Sequence, residues 1–515
     1  MICPCVSTEH VLESAQAGMM TMSYHRVIPV EATTLSALPA TEKRHLFVSN
    51  RSPYLYHETG SSLKASKAIG GLVSTMEPAF RKLGGLWIGS SDGSSEPVRL
   101  VVGEDEPRCF TKPVNLSDED IELYYNGFAN GTLWPLCHSF LEKCHFNTRE
   151  WQAYERVNRK FASAIAAELL PSHDVVWIHD YHLALTPQFV REEVSPAKIV
   201  SFWHIPFPDP AVFLELPWRR RVLEGLLHSR FIGFHLQSYV DNFLYCVERE
   251  FANANVDHDT GVVRLGILET LIRAAPLGID HLYWDSQARS QAAADVAKEV
   301  RSRIKAQTLA LAVDRLDYTK GVVERIRALE CLFLRRPDLI ECLTLLQIGV
   351  PTRTGVPVYR DYRDAVVKET ERVNTRFGRN GWKPVVLEKG MISQKRLAGL
   401  YLAADLAIVT PLRDGMNLVA KEFVASRVDG DGVLVLSRSA GVADELTEAI
   451  LVDPRKPAET AKAIERALSL SPGERRQRME LMRQKVKVRN LFWWLRSISD
   501  LISNCGDGYG TATET

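Results

Sequence analysis

The residues with the clearest chemical meaning lie in the run Thr410-Pro411-Leu412-Arg413-Asp414-Gly415-Met416-Asn417-Leu418-Val419-Ala420-Lys421-Glu422. The apolar stretch from Ala404 to Val409 reads as a buried parallel strand stopped at Thr410-Pro411, and helical spacing resumes at Asn417. A helix start offers unpaired N–H groups and the positive end of its dipole. The turn through Gly415 and the amides of Met416, Asn417 and Leu418 therefore suit a phosphate. Glu422, one turn further in, is placed to accept hydrogen bonds from a ribose beside that phosphate, and Asp414 in the turn faces sugar hydroxyls. By itself the string also fits a solvent-facing loop and an ordinary helix cap.

A second run supplies cations. Ala310 to Val313 is an apolar strand followed by Asp314-Arg315-Leu316-Asp317-Tyr318-Thr319-Lys320-Gly321 and a helical pattern. Ligands of open α/β sheets bind at strand C-termini, where Arg315 and Lys320 stand. Two cations there stabilise a departing diphosphate as a metal would. The other reading is a surface ion-pair loop with Asp314 and Asp317.

Both runs need strands to aim them. From His45 onward apolar strands alternate with helical stretches, the pattern of a mostly parallel sheet covered on both faces. Strands are expected near 46–50, 86–88, 174–178, 198–203 and 229–234, with helices near 71–83, 149–169 and 236–254. Ser117 and Asp120 form a capping box for a helix carrying Tyr124 and Tyr125. A second alternation has strands near 308–313, 343–349, 383–388, 404–410 and 432–436. The expected fold is α/β, with two Rossmann-like domains facing across a cleft: 45–285 for the acceptor, 286–480 for the nucleotide sugar, and a hinge near 278–292. Residues 1–44 read as a loosely ordered extension and 504–515 as a tail. Met479, Met482 and Val486 make the basic stretch 472–489 an amphipathic helix rather than an RNA-binding one.

These two runs and the order of the elements around them resemble the trehalose-6-phosphate synthases, retaining glycosyltransferases of GT-B architecture. Further shared strings are Val48-Ser49-Asn50-Arg51, Gly70-Gly71-Leu72, Tyr124-Tyr125-Asn126, Leu133-Trp134-Pro135, Trp177-Ile178-His179-Asp180-Tyr181-His182, His204-Ile205-Pro206-Phe207-Pro208 and Pro351-Thr352-Arg353. The resemblance spans about residues 46 to 500. It implies a helix at 481–503 that crosses back onto the first domain. On the donor side it implies Gly71 near the diphosphate and His204 against the donor sugar, beside Arg315, Lys320, Asp414, Gly415, Met416, Asn417, Leu418 and Glu422. On the acceptor side it implies Arg51 and Arg353 on a phosphate, with Tyr125, Trp134 and Asp180 around the sugar. Trp87 is a candidate for the cleft wall, although core packing also explains it. The implied reaction moves glucose, with retention, from a nucleotide-glucose such as UDP-glucose to glucose 6-phosphate, and needs no cofactor.

Composition sets outer bounds. The 515 residues carry zero formal net charge, 45% hydrophobic and 24% charged residues, an ordinary globular balance that argues against nucleic acid or an anionic membrane as partner. The expected partners are small molecules, a separate phosphatase and further copies of the chain, since no D-x-D-x-T motif is evident. The nine cysteines lack C-x-x-C spacing, which fits reduced thiols and a cytoplasmic setting, and no metal site is expected. The interval from Arg51 to Gly70, with Tyr54, Tyr56, His57 and a Gly60-Ser61-Ser62 turn, reads as a loop. Two other readings stay open: transfer from ADP-glucose to glycerol 3-phosphate, and a non-catalytic regulatory subunit.

Overall fold

A computed structural model of the chain describes residues 25–29, 44–59, 62–67, 71–90, 98–101, 109–170, 173–195 and 197–504. The Gly60 turn, Gly70, most of 1–44 and the tail beyond 504 lie outside them. Two sheets organise these residues.

The first sheet has thirteen strands. Its central seven are parallel and run in the order Leu268–Ala274, Phe231–Phe234, Lys198–Phe202, Asp174–His179, Arg44–Arg51, Gly85–Ser90 and Cys109–Val114. The hairpin strands Asn255–Asp257 and Val262–Leu265 extend one end antiparallel, and four short strands extend the other. The second sheet has six strands, all parallel, in the order Val385–Lys389, Leu343–Val350, Thr308–Arg315, Leu406–Val409, Val433–Ser437 and Ile450–Val452. Strands covered by helices on both faces must be apolar almost throughout, and Leu406–Val409 and Val433–Ser437 are buried at every position. The two halves, each built on parallel strands covered by helices, make the α/β architecture expected from the sequence.

The structure departs from the sequence reading in three places. Within the expected loose extension, His25–Pro29 is a strand between Val98–Val101 and Ser62–Lys67, so both its edges find hydrogen-bond partners. The expected loop after Arg51 is an antiparallel hairpin, Tyr54–Thr59 against Ser62–Lys67, with Thr59 opposite Ser62. The Ser117/Asp120 capping box is present, but it opens one short α-turn that continues as a π-helix over Ile121–Leu133. In that wider helix the Trp134 amide reaches back to Ala129 O, which sets Tyr125 and Trp134 apart from the ordinary helical register.

The chain crosses between the sheets twice, side by side. Residues 275–280 run outward and 489–491 return, joined by Leu491 N–H donating to Ile279 O at 2.9 Å. The approach is close enough that a Cβ on Gly278 would stand 2.3 Å from Arg489 O. Helices His281–Ala288 and Gln291–Arg303 follow the first crossing, within and beyond the expected hinge. Helix Pro472–Val488 buries Met479, Met482 and Val486 in the second half's core, as an amphipathic helix does. Helix Leu491–Asn504 then packs Trp494 and Ile498 against Phe47, Trp87 and Trp177 of the first. Trp87 belongs wholly to that core, with its indole N–H on Ser49 Oγ at 2.9 Å, and does not line the cleft. No described helix is long and apolar enough to cross a membrane.

Candidate active site

The C-terminal strand ends of the two sheets face each other, and the residues expected from type and spacing or from the resemblance, Gly71 apart, gather there in two groups. On the donor side, Arg315 ends the strand Thr308–Arg315 and Lys320 follows in a short turn capped by Asp317. Lys320 Nζ lies 2.5 Å from Asp414 Oδ2, which also accepts Asn417 Nδ2 at 3.0 Å. Burial raises the Asp414 carboxyl, but Lys320, by charge and hydrogen bond, holds it below the usual range. Asn417 adopts the left-handed conformation, φ 72°, and caps helix Leu418–Ser426 by accepting Ala420 N–H at 3.2 Å. In the structure Asn417 is thus the helix cap. The turn is fixed from behind: Asp414 N–H donates to Ser439 O and Val442 N–H to Met416 O.

Glu422 accepts the Tyr401 hydroxyl at 2.9 Å, and burial pushes its carboxyl up to about 7. Gly415 meets the other half directly, since a Cβ there would stand 2.4 Å from His204 O. Gly71 opens helix Gly71–Leu83 and is exposed, with no protein atom within 4 Å of where a Cβ would be. Among the described contacts it makes none with the other donor-side residues.

On the acceptor side, cations and aromatic rings interleave. Arg51 donates to Tyr125 OH at 3.1 Å with its guanidinium 5.1 Å above that ring, and the Tyr125 ring stacks on His182 at 5.7 Å. Asn130 of the π-helix ties this wall together, donating to Tyr125 O and accepting the Tyr181 hydroxyl, both at 2.7 Å. Trp134 lies under two guanidiniums, Arg353 at 4.3 Å and Arg315 at 5.1 Å. The Arg353 side chain is buried, donates to Tyr359 OH and, at 3.3 Å, to Tyr181 OH, and keeps an Nε without a partner among the described residues.

Asp180 joins the groups. It follows the strand Asp174–His179 at φ 77°, and its Oδ1 accepts Tyr181 N–H at 3.1 Å and His204 N–H at 3.2 Å. Burial pushes its carboxyl up to about 7, partly offset by those two bonds. His204 pairs with His179 across 3.0 Å, and its Nδ1 is a buried nitrogen with no partner among the described residues.

Sequence reasoning missed Asp317. Fully buried, it stands 3.4 Å from Arg353 and 3.8 Å from Arg315, so one carboxylate holds both arginines. The signal was its place inside the Arg315–Lys320 run, where it read as an ion-pair partner. Tyr181, His182 and Tyr359 also escaped assignment because only folding brings them to Arg353 and Tyr125. Among the described residues no cluster of His, Cys, Asp and Glu is arranged to hold a metal.

Comparison with known proteins identifies the assembly. The family model described as glycosyltransferase family 20 matches residues 43–504. A trehalose-6-phosphate synthase from Mycolicibacterium gilvum is 36% identical over 91% of this chain and 95% of its own length. A bifunctional trehalose-6-phosphate synthase/phosphatase from Thermoproteus tenax is 38% identical over 88% of this chain, which spans 62% of that longer protein. Among solved structures, a UDP-forming alpha,alpha-trehalose-phosphate synthase from Burkholderia xenovorans, in complex with glucose-6-phosphate, superposes with a TM-score of 0.81 at 32% identity, covering 89% of this chain and 100% of that one. The chain therefore belongs to glycosyltransferase family 20, alongside the trehalose-6-phosphate synthases.

Proposed function

We propose that the chain transfers glucose from UDP-glucose to glucose 6-phosphate with retention of configuration, giving trehalose 6-phosphate and UDP. The observation that carries this reading is the Arg51, Tyr125, Trp134 and Arg353 cluster. It offers two guanidiniums for a phosphate and aromatic walls for a sugar, next to the separate Arg315 and Lys320 pair. The Burkholderia xenovorans relative, UDP-forming and complexed with glucose-6-phosphate, supports the choice of both substrates.

In this reading Glu422 takes the ribose hydroxyls, while the Leu418–Ser426 helix start, Arg315 and Lys320 take the diphosphate. Asp414 and His204 hold the glucose. As the bond from the anomeric carbon to the phosphate oxygen breaks, the two cations neutralise the charge gathering on the leaving group. The acceptor hydroxyl attacks from the same face and its proton passes to that phosphate oxygen, so the new bond keeps the configuration of the old. Contact of the two halves at Gly415 and His204 excludes water from the reacting centre.

The test incubates purified protein with glucose 6-phosphate and, separately, UDP-, GDP- and ADP-glucose, with glycerol 3-phosphate as competing acceptor. Products are identified by mass spectrometry. A phosphorylated non-reducing disaccharide formed from UDP-glucose is the expected outcome. Glucosylglycerol phosphate or preference for another nucleotide overturns the substrate assignment, and absence of transfer overturns the activity.

A further inference from the structure

His204 O is one point where the halves touch, against Gly415, and a polar chain runs from it deep into the second half. His235 Nε2 lies 3.1 Å from His204 O, and Leu277 N–H donates to His235 Nδ1 at 3.4 Å. A carbonyl only accepts and a backbone amide only donates. The ring is therefore the neutral tautomer with its proton on Nε2, and it bridges the two backbone groups. The opposite side of the same residue is held by the other half: Lys421 Nζ donates to Leu277 O at 2.9 Å and to Glu445 Oε2 at 2.8 Å.

Leu277 sits in the outward crossing between the sheets, beside the tight Gly278 contact. Lys421 is wholly buried and adjoins Glu422 on the ribose-facing helix. Burying an ammonium costs several kcal/mol unless it is well paired. An apolar residue of similar length would fill the same volume, but could not hold a backbone carbonyl of the crossing segment.

We propose that the Leu277 peptide is a coupling joint between the halves of the donor site, with His235 and Lys421 as positioning residues acting through it. His235 fixes where the His204 carbonyl meets Gly415, Lys421 fixes the helix that carries Glu422, and one peptide links the two settings. Sugar contact and nucleotide contact thus form together, in one docked arrangement of the halves. This deepens the donor-site reading above and depends on it for the identity of the groups being aligned.

The test is a double-mutant cycle. His235→Phe retains the ring contacts with Phe202 and His204, at 5.2 and 5.4 Å, and deletes both hydrogen bonds. Lys421→Met retains the stem and deletes the bonds to Leu277 and to Glu445, so it is made with Glu445→Gln and compared with Glu445→Gln alone. Each single variant should lower kcat/KM for the nucleotide sugar about tenfold, the scale of one buried hydrogen bond lost. The double variant should fall no more than about threefold below the weaker single, because either change alone releases the shared peptide. His235→Gln, which keeps a donor and an acceptor, should recover most of the loss.

Dissociation constants for UDP, with GDP and ADP titrated alongside, are measured by calorimetry on the same proteins. The coupling is then read even if the wild type uses another acceptor. A wild type that makes no trehalose 6-phosphate counts against the proposed reaction, not against the joint. Losses that multiply in the double variant overturn the proposal, as do single variants within about twofold of wild type in both measurements. If either variant does not fold, His235→Leu and Lys421→Leu, the latter again with Glu445→Gln, which also lack the hydrogen bonds to the Leu277 peptide, enter the same cycle under the same two criteria.

Discussion

Lys320 Nζ stands 2.5 Å from the Asp414 carboxylate, the contact that joins the Arg315–Lys320 turn to the Asp414–Asn417 turn across the edge of the second sheet. The lysine keeps a buried acid ionised, and in the proposed reaction the same cation faces the leaving diphosphate. Arg315→Ala should lower turnover about a hundredfold, the scale of losing one electrostatic donor to the transition state, and Lys320→Ala at least as much. The folded-state Asp414 pKa is depressed, so its contribution to stability is present above the ordinary value of 3.8 and is lost as pH falls through the lower folded value. Lys320→Ala should raise that folded value and make the protein more sensitive to mild acid. Turnover and acid unfolding, followed by circular dichroism, check both effects. Unchanged turnover in a folded variant removes the pair from the chemistry.

The Lys320–Asp414 pair was within reach of sequence reasoning because each residue sits where an apolar strand gives way to a turn, and strand ends in parallel sheets collect ligands. Ten of the thirteen strands in the two parallel arrays were legible for a related reason: doubly covered strands are continuous apolar runs, whereas Cys109–Val114 and Leu268–Ala274 are interrupted by polar residues and Ile450–Val452 is short. The hairpin after Arg51 and the strand His25–Pro29 lack such runs and depend on edge pairing, so they read as loop or extension. Asp317 and Lys421 fell inside recognised runs, yet Asp317 also read as part of a surface ion-pair loop and Lys421 had no role assigned. Only the fold shows Asp317 held between two arginines and Lys421 sealed against Leu277 and Glu445. The π-helical spacing that brings Tyr125 and Trp134 to one pocket has no signature in helical periodicity.

Glu422 predicts a pH dependence of donor binding. Burial holds its carboxyl near 7, above its ordinary 4.5. The protonated form is thus the stable one in the free protein, and its stabilising effect, complete below 4.5, is lost as pH rises through about 7. A ribose donating two hydroxyl hydrogens prefers the carboxylate. Nucleotide binding should therefore release protons near pH 7 and weaken as pH falls below it. Calorimetry in buffers of different ionisation enthalpy reads this release directly. Glu422→Gln should abolish it, bind nucleotide more weakly, and unfold at a higher temperature than wild type at pH 8.

Gly415 tests the docked arrangement of the halves. A methyl group there would stand 2.4 Å from His204 O and 3.0 Å from Ile205 Cα, so Gly415→Ala must separate the surfaces or shift the loop. A misplacement of about 1 Å at a reacting centre costs on the order of a hundredfold in rate. The variant should lose transfer on that scale with a smaller effect on its thermal midpoint, since the clash falls on the backbone of the His204–Ile205 loop and not on packed side chains. Donor hydrolysis should rise relative to transfer because the cleft no longer excludes water. A variant with wild-type transfer would show that the contact yields without consequence.

Arg353 tests whether recognition of the proposed acceptor phosphate is separable from donor chemistry. Its guanidinium lies over Trp134 and is held by Tyr359, Tyr181 and Asp317, which leaves Nε unspent at the pocket. Lys retains the charge but neither the plane that stacks on Trp134 nor the fork that meets a phosphate with two bonds. Arg353→Lys should raise KM for the phosphorylated acceptor about tenfold to a hundredfold, the range for charged hydrogen bonds lost, while kcat and donor KM move less. Because Asp317 also contacts Arg315 at 3.8 Å, a change at Arg353 could instead reach the donor through that carboxylate. Asp317→Asn distinguishes the routes: it loosens both arginines, so acceptor and donor KM should shift together. Arg353→Lys should shift the acceptor alone, and a donor shift of equal size would assign Arg353 to the leaving diphosphate.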